Sequence, residues 1–119
     1  MKTIFLKTLI SLKALGNMGV MSEEVMEDVA AFINVEAMSV PVRVAAVEAF
    51  RNMPCTPQLN QKLLKSMKGP FMKDEVAIAA YLSIMRCPTV TDLSEIEDYL
   101  RQYKPSTESK NHAHRLYHE

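Results

Sequence analysis

Tryptophan is absent from this chain, glycine occurs three times, and there are only four Phe and four Tyr in 119 residues. So little glycine leaves no room for a phosphate-cradling loop, and neither Cys-x-x-Cys nor His-Glu-x-x-His occurs. Net charge is missing too: fourteen basic residues balance fourteen acidic ones. That balance excludes the broad electrostatic footprint of a nucleic-acid binder and any general pull toward anionic membranes. No apolar run is long enough for a transmembrane segment. The opening Met1-Lys2-Thr3-Ile4-Phe5-Leu6 starts like a leader peptide, but Lys7 and Lys13 interrupt it, so it reads as an amphipathic helix. His112, His114 and His118 all fall in the polar C-terminal stretch, where metal binding would have to order a loose tail. No histidine lies in the apolar body to activate a Ser or Cys, so neither an enzyme nor a cofactor site is expected.

What the chain does contain is helix-forming material. Apolar residues make up 48% of it, enough for one domain with a real core. Prolines at 41, 54, 57, 70, 88 and 105 punctuate segments whose apolar residues recur at helical spacing. Six helices follow. The first runs from about Thr3 to Leu15 on Leu6, Leu9, Ile10 and Leu12, and Gly16, Asn17 and Gly19 end it. Ser22 caps the second, which carries Val25, Met26, Val29, Phe32 and Ile33, and residues 34–40 form a loop. Pro41 opens the third, and Thr56-Pro57 caps the fourth, with Leu59, Leu63, Leu64 and Met67 as its stripe. The fifth, from about Asp74 to Arg86, is apolar almost all round and is expected to be buried between neighbours. Thr91-Asp92 opens the sixth. Residues 1–104 are thus read as a helical domain and 105–119 as a polar, disordered tail.

The third and fifth helices resemble each other at an offset of 32, which pairs Val44-Ala45 with Val76-Ala77, Phe50 with Leu82, Met53 with Met85 and Cys55 with Cys87. The first helix fits at an offset of 35. Periods in this range belong to stacked helical hairpins, each too small to cover its own apolar face. The expected fold is therefore all-α: stacked hairpins in a short right-handed superhelix. Cys55 and Cys87 each follow an inner helix at positions the offset makes equivalent. They are either a disulfide between adjacent repeats or two buried thiols, because neighbouring helices pack about 8–10 Å apart while a bridge needs alpha carbons within about 7 Å. The nine methionines suit irregular core gaps, and they would also suit a deformable lipid-facing or partner-facing wall.

Three segments carry a family resemblance: residues 12–19 (LKALGNMG), residues 40–51 (VPVRVAAVEAFR) and residues 75–88 (EVAIAAYLSIMRCP). Their order and spacing are similar to the helical domain of the large lipid transfer proteins, which include vitellogenin, apolipophorin, apolipoprotein B and microsomal triglyceride transfer protein. Arg86-Cys87-Pro88 and Pro54-Cys55 look most like apolipophorin. The resemblance implies a curved double layer of helices that supports lipid-cavity β-sheets in a secreted lipid carrier. Lipid and those β-sheet domains would be the partners, with no nucleic acid among them. The family's helical domain is much longer than this chain and no β-rich region is present, so a piece of the scaffold is expected. Arg43, Arg51 and Arg86 recur near helix ends in these motifs and are read as ion pairs or carbonyl caps. The alternative is a cytosolic HEAT-like interaction module, which would keep Cys55 and Cys87 reduced.

Overall fold

The computed structural model describes residues 2–102, with side chains from Phe5 onward. Six helices follow one another: α1 Lys2–Met18, α2 Glu23–Phe32, α3 Val40–Glu48, α4 Pro57–Met67, α5 Asp74–Ile84 and α6 Val90–Gln102. Among the described residues there is no strand. The expected tail, with His112, His114 and His118, lies outside them.

The helix starts follow from side-chain caps. Ser22, Ser39 and Thr56 each accept a hydrogen bond from the backbone N–H three residues on, at Val25, Val42 and Leu59. Ser39 falls within the stretch 34–40 that the sequence reads as a loop, and in the structure it caps α3. The sixth helix begins earlier than expected. Thr89 accepts from the Asp92 N–H, and the Asp92 carboxylate accepts from the Thr89 N–H, a reciprocal capping box that starts the helix at Val90. At the other extreme, α1 runs on through Gly16 and Asn17 and stops only at Gly19, whose φ of +70° lies in the left-handed region. Two glycine-compatible positions therefore sit inside the helix, where packing on α3 outweighs their poor propensity.

The helices form two layers. In one, α3 packs on α1 and on α5. In the other, α4 packs on α2 and on α6. The layers meet where α2 touches α3 and α4 touches α5. Leu12, Val29, Ile33, Phe50, Leu63, Leu64, Val76 and Ile84 fill the space between them in one continuous core. All four residues of the α4 stripe are buried, as expected. Small residues line the contact within the first layer: Ala45, Ala46, Ala49 and Ala80 are buried and let the helices approach closely. Of the methionines, Met67 is buried, and Met21, Met26, Met38, Met53 and Met72 pack partly against the core.

Two expectations about the repeat need correction. Phe50 is fully buried, whereas Leu82, its supposed equivalent, is 52% exposed. Helix ends show why: the cap residues of α3 are Ser39 and Ala49, and those of α5 are Lys73 and Met85. The helices correspond at about 35 residues rather than 32, and Arg51 matches Arg86. Patterning alone could not separate the two registers, because a slip of three residues is nearly one helical turn and keeps apolar positions in phase. In addition, α5 is not buried all round, since Leu82 and Met85 reach solvent. Its main neighbours among the described residues are α3 and α4.

Candidate functional site

The polar chemistry of the body gathers at helix ends, where it fastens one repeat to the next. Arg51 follows α3. Its Nη1 donates to the Glu48 carbonyl at 3.0 Å and its Nη2 reaches the side-chain oxygen of Asn17 on α1. Asn52 donates to the Gly16 carbonyl at 2.7 Å. Arg86 repeats the arrangement one helix on: Nε donates to the Ser83 carbonyl, and the two Nη atoms donate to the carbonyls of Arg51 and Phe50. A Cβ on Gly16 would lie 2.0 Å from the Arg51 guanidinium, so the bare glycine backbone gives that cation its seat.

Arg43 is buried inside α3. Its Nε donates to the Ile33 carbonyl at 2.8 Å, and its Nη2 donates to the Phe71 carbonyl. One planar fork thereby ties the end of α2 to the loop before α5. Burial pushes its pKa down from the ordinary guanidinium value. All three arginines cap backbone carbonyls, and Arg51 in addition reaches the Asn17 side chain.

A second polar knot joins α4, α6 and the loop after α5. Asp92 is buried and accepts from Asn60 at 2.8 Å and Gln61 at 3.2 Å, besides the Thr89 N–H. Burial raises the pKa of this carboxyl, but the hydrogen bonds from Thr89, Asn60 and Gln61 to its charged form outweigh that, and the net shift is downward. Asn60 also donates to the Cys87 carbonyl at 3.1 Å. In the sequence Asn60 has no role and Asp92 stands only at the opening of the sixth helix beside Thr91; the Thr89-x-x-Asp92 spacing of the capping box is the signal that pairs it with Thr89.

Cys55 and Cys87 stand together as a pair, with alpha carbons 6.3 Å apart. The corrected register explains how they reach each other. Cys55 lies six residues beyond the α3 cap and Cys87 two beyond the α5 cap, so they are not equivalent positions. The turns at residues 49–52 and the short irregular stretch after them carry Cys55 toward the next repeat, closing the gap that equivalent positions would leave.

Two kinds of surface remain. Between α2 and α4 runs a groove of mixed lining, bordered by Glu27, Asn34, Gln61 and Lys65 together with Ala30, Ala31 and Pro57. There the Asn34 side chain covers bare Gly69, and its Oδ1 is buried without a hydrogen-bond partner. On the first layer a mainly apolar groove of about 390 Å³ runs between α3 and α5, along Val47, Ala79 and Leu82. The layer's open edges expose Leu6 and Ile10 of α1 at one end and Leu82 and Met85 of α5 at the other. Among the described residues no cluster of His, Cys, Asp or Glu could hold a metal ion, and no helix is long and apolar enough to cross a membrane.

Comparison with known proteins gives these features a context. The family model described as the vitellogenin TPR domain matches residues 3–107. A vitellogenin of Penaeus merguiensis is 39% identical over 84 residues, 71% of this chain and 3% of that protein. The apolipophorins of Locusta migratoria are 29% identical over 101 residues, 80% of this chain and 3% of the relative. Apolipoprotein B-100 of Rattus norvegicus is 29% identical over 109 residues, 88% of this chain and 2% of the relative. The chain thus spans a few hundredths of the length of these relatives. No solved structure matches it.

Proposed function

This chain belongs to the vitellogenin TPR domain family, and from that premise we propose that it serves as a non-catalytic helical wall in lipid transport. The observation that carries the reading is the uncovered apolar surface of the α1–α3–α5 layer. Leu6 and Ile10 at one edge of the layer and Leu82 and Met85 at the other are exposed, while Leu12, Phe50, Val76 and Ile84 of the same layer are buried. A helical wall of this kind gains stability when lipid or an apolar sheet covers that surface. Its arginines and the buried Asn60 amide hold helices together, a structural use that supports the non-catalytic reading.

Within this reading the natural neighbours are lipid and the β-sheet domains of a lipoprotein, and the setting is extracellular. The Cys55–Cys87 pair fits that setting, since disulfides persist in oxidising compartments. We take the pair to be closed in the working protein. A cytosolic interaction module would instead keep both thiols reduced.

The test is binding of a fluorescent apolar probe to the 119-residue chain, together with flotation on lipid vesicles. Probe binding and co-flotation are expected. A monodisperse monomer that binds neither probe nor vesicle refutes the proposal.

A further inference from the structure

The two ends of the Cys55–Cys87 bridge are held differently. Cys87 is half-buried, its N–H donates to the Ile84 carbonyl at 3.2 Å, and its carbonyl accepts from Asn60 at 3.1 Å. Cys55 stands in an exposed run, residues 54–58, and no backbone hydrogen bond among the described residues holds it. Pro54 and Pro57 on either side have no N–H to contribute. One cysteine is thus anchored in the fold, and the other lies on an open loop. Both belong to the interior of the chain, in the connections α3–α4 and α5–α6.

The charge around this bridge has one sign. Residues 49–60 and 83–91 contain Arg51 and Arg86 and neither Asp nor Glu. Arg86 is exposed and seats its guanidinium on the carbonyls of Phe50 and Arg51, in the turn that leads to Cys55, and Arg51 belongs to that turn. Helix α4 starts two residues beyond Cys55 with no acid in its first turn, so its positive end is uncompensated. The nearest acids in sequence are Glu48, at the end of α3, and Asp92, whose carboxylate is buried and taken up by Thr89, Asn60 and Gln61.

We infer that this bridge is a thiol-exchange site: an anionic low-molecular-weight thiol attacks Cys55 Sγ and stays there as a mixed disulfide, and Cys87 is the thiol that later expels it. The incoming thiolate's electron pair forms a new S–S bond to Cys55 as the Cys55–Cys87 bond breaks. The pair from the broken bond leaves on Cys87 Sγ, which takes a proton from water. One disulfide is consumed and one is formed, so the incoming thiol is the only co-reactant. Access selects Cys55 as the sulfur attacked, and the local positive charge selects an anion. The anchored backbone keeps Cys87 in place for the return step, in which its thiolate attacks the mixed disulfide and the small thiol leaves. This chemistry requires the closed pair proposed above and adds to it a reactive end and a class of ligand.

The test uses two thiols of one carbon skeleton and opposite charge, mercaptoethanesulfonate and cysteamine. The folded, unreduced chain is exposed to each in short pulses at equal thiolate concentration. Free thiols are then blocked with N-ethylmaleimide, and peptide mass spectrometry reads which cysteine carries the adduct and which the maleimide. Adduct on Cys55 with maleimide on Cys87 is expected, in about tenfold excess over the reverse pattern, while the same chain in concentrated urea should be labelled at both positions. The sulfonate should react about fivefold faster than the amine at low ionic strength, and the two rates should converge in about 1 M salt. Removing the free thiol before blocking should erase the adduct as Cys87 closes the bridge again. Adduct on Cys87, or evenly on both cysteines of the folded chain, overturns the inference. So does a folded chain that stays unreacted while the urea-treated chain is labelled, which would mark an inert structural bridge. Equal rates for the two thiols at low salt overturn the choice of an anion, and an adduct that persists after thiol removal overturns the role of Cys87. Maleimide on both cysteines of the untreated chain removes the closed pair itself.

Discussion

Opening the Cys55–Cys87 pair should cost this domain a large part of its stability, and the size follows from chain geometry. The two cysteines are 32 residues apart in sequence. A crosslink closing a loop of that length removes loop entropy from the unfolded chain worth about 3.7 kcal/mol at 25 °C. The folded state should change little, because the Cys87 carbonyl is still held by Asn60 and the neighbouring Arg86 still caps α3. For a domain of about this size each kcal/mol moves Tm by about 4–8 °C, so reduction should lower Tm by about 15–30 °C. The assay is thermal unfolding followed by circular dichroism, with and without a phosphine reductant, beside a Cys55→Ala, Cys87→Ala variant. The variant should melt near the reduced protein and ignore the reductant. Thiol titration of the denatured, unreduced chain supplies the control. Two free thiols would show that no bond forms. An intact bond whose reduction shifts Tm by less than about 5 °C would refute the entropic reasoning.

Three further outcomes are expected. Asp92 has its pKa lowered on folding, so its hydrogen bonds stabilise the protein above the ordinary carboxylate range and that contribution is lost as pH falls through the lowered value; Asp92→Asn should flatten the acid limb of a stability–pH profile recorded by urea unfolding. An acid limb as steep in the variant as in the parent would assign that loss to other groups. Replacing Arg43 with Met should cost about 3 kcal/mol in urea unfolding, because the Ile33 and Phe71 carbonyls lose their shared donor, and Arg43→Lys should recover only part, since an ammonium lacks the fork. Leu63→Ala removes a fully buried side chain between the layers and should cost about 2–5 kcal/mol, with an unchanged denaturant slope if the two layers unfold together.

Much of this architecture was legible in the chain itself. Prolines and N-caps delimited six helices, and the α4 stripe was placed residue by residue, because local rules of capping and periodicity act on neighbours in sequence. The family resemblance read from residues 12–19, 40–51 and 75–88 agrees with the matched family model. The repeat register escaped, since shifts of 32 and 35 both keep leucines and alanines in helical phase and only the caps of α3 and α5 distinguish them. The arginines read as ion pairs or carbonyl caps; the carbonyls of Glu48 and Ser83 lie three residues back in the chain, whereas those of Ile33, Phe71, Phe50 and Arg51 depend on which helices become neighbours. The Asn60–Asp92 contact is illegible for the same reason: Asp92 reads only as part of a helix start, and Asn60 acquires meaning only when this partner 32 positions away is folded against it.

The arginine seats carry a consequence for how long such a wall can grow. Because Arg51 meets the last turn of α1 and Arg86 the turn that follows α3, these helices point the same way, like bar magnets laid side by side with like poles together. Each contributes about half a negative charge to one rim. A guanidinium at every seam cancels that crowding, so extension of the wall is rationed by a cation per added helix, and a seam without one is where two segments should part first in concentrated salt-free solution.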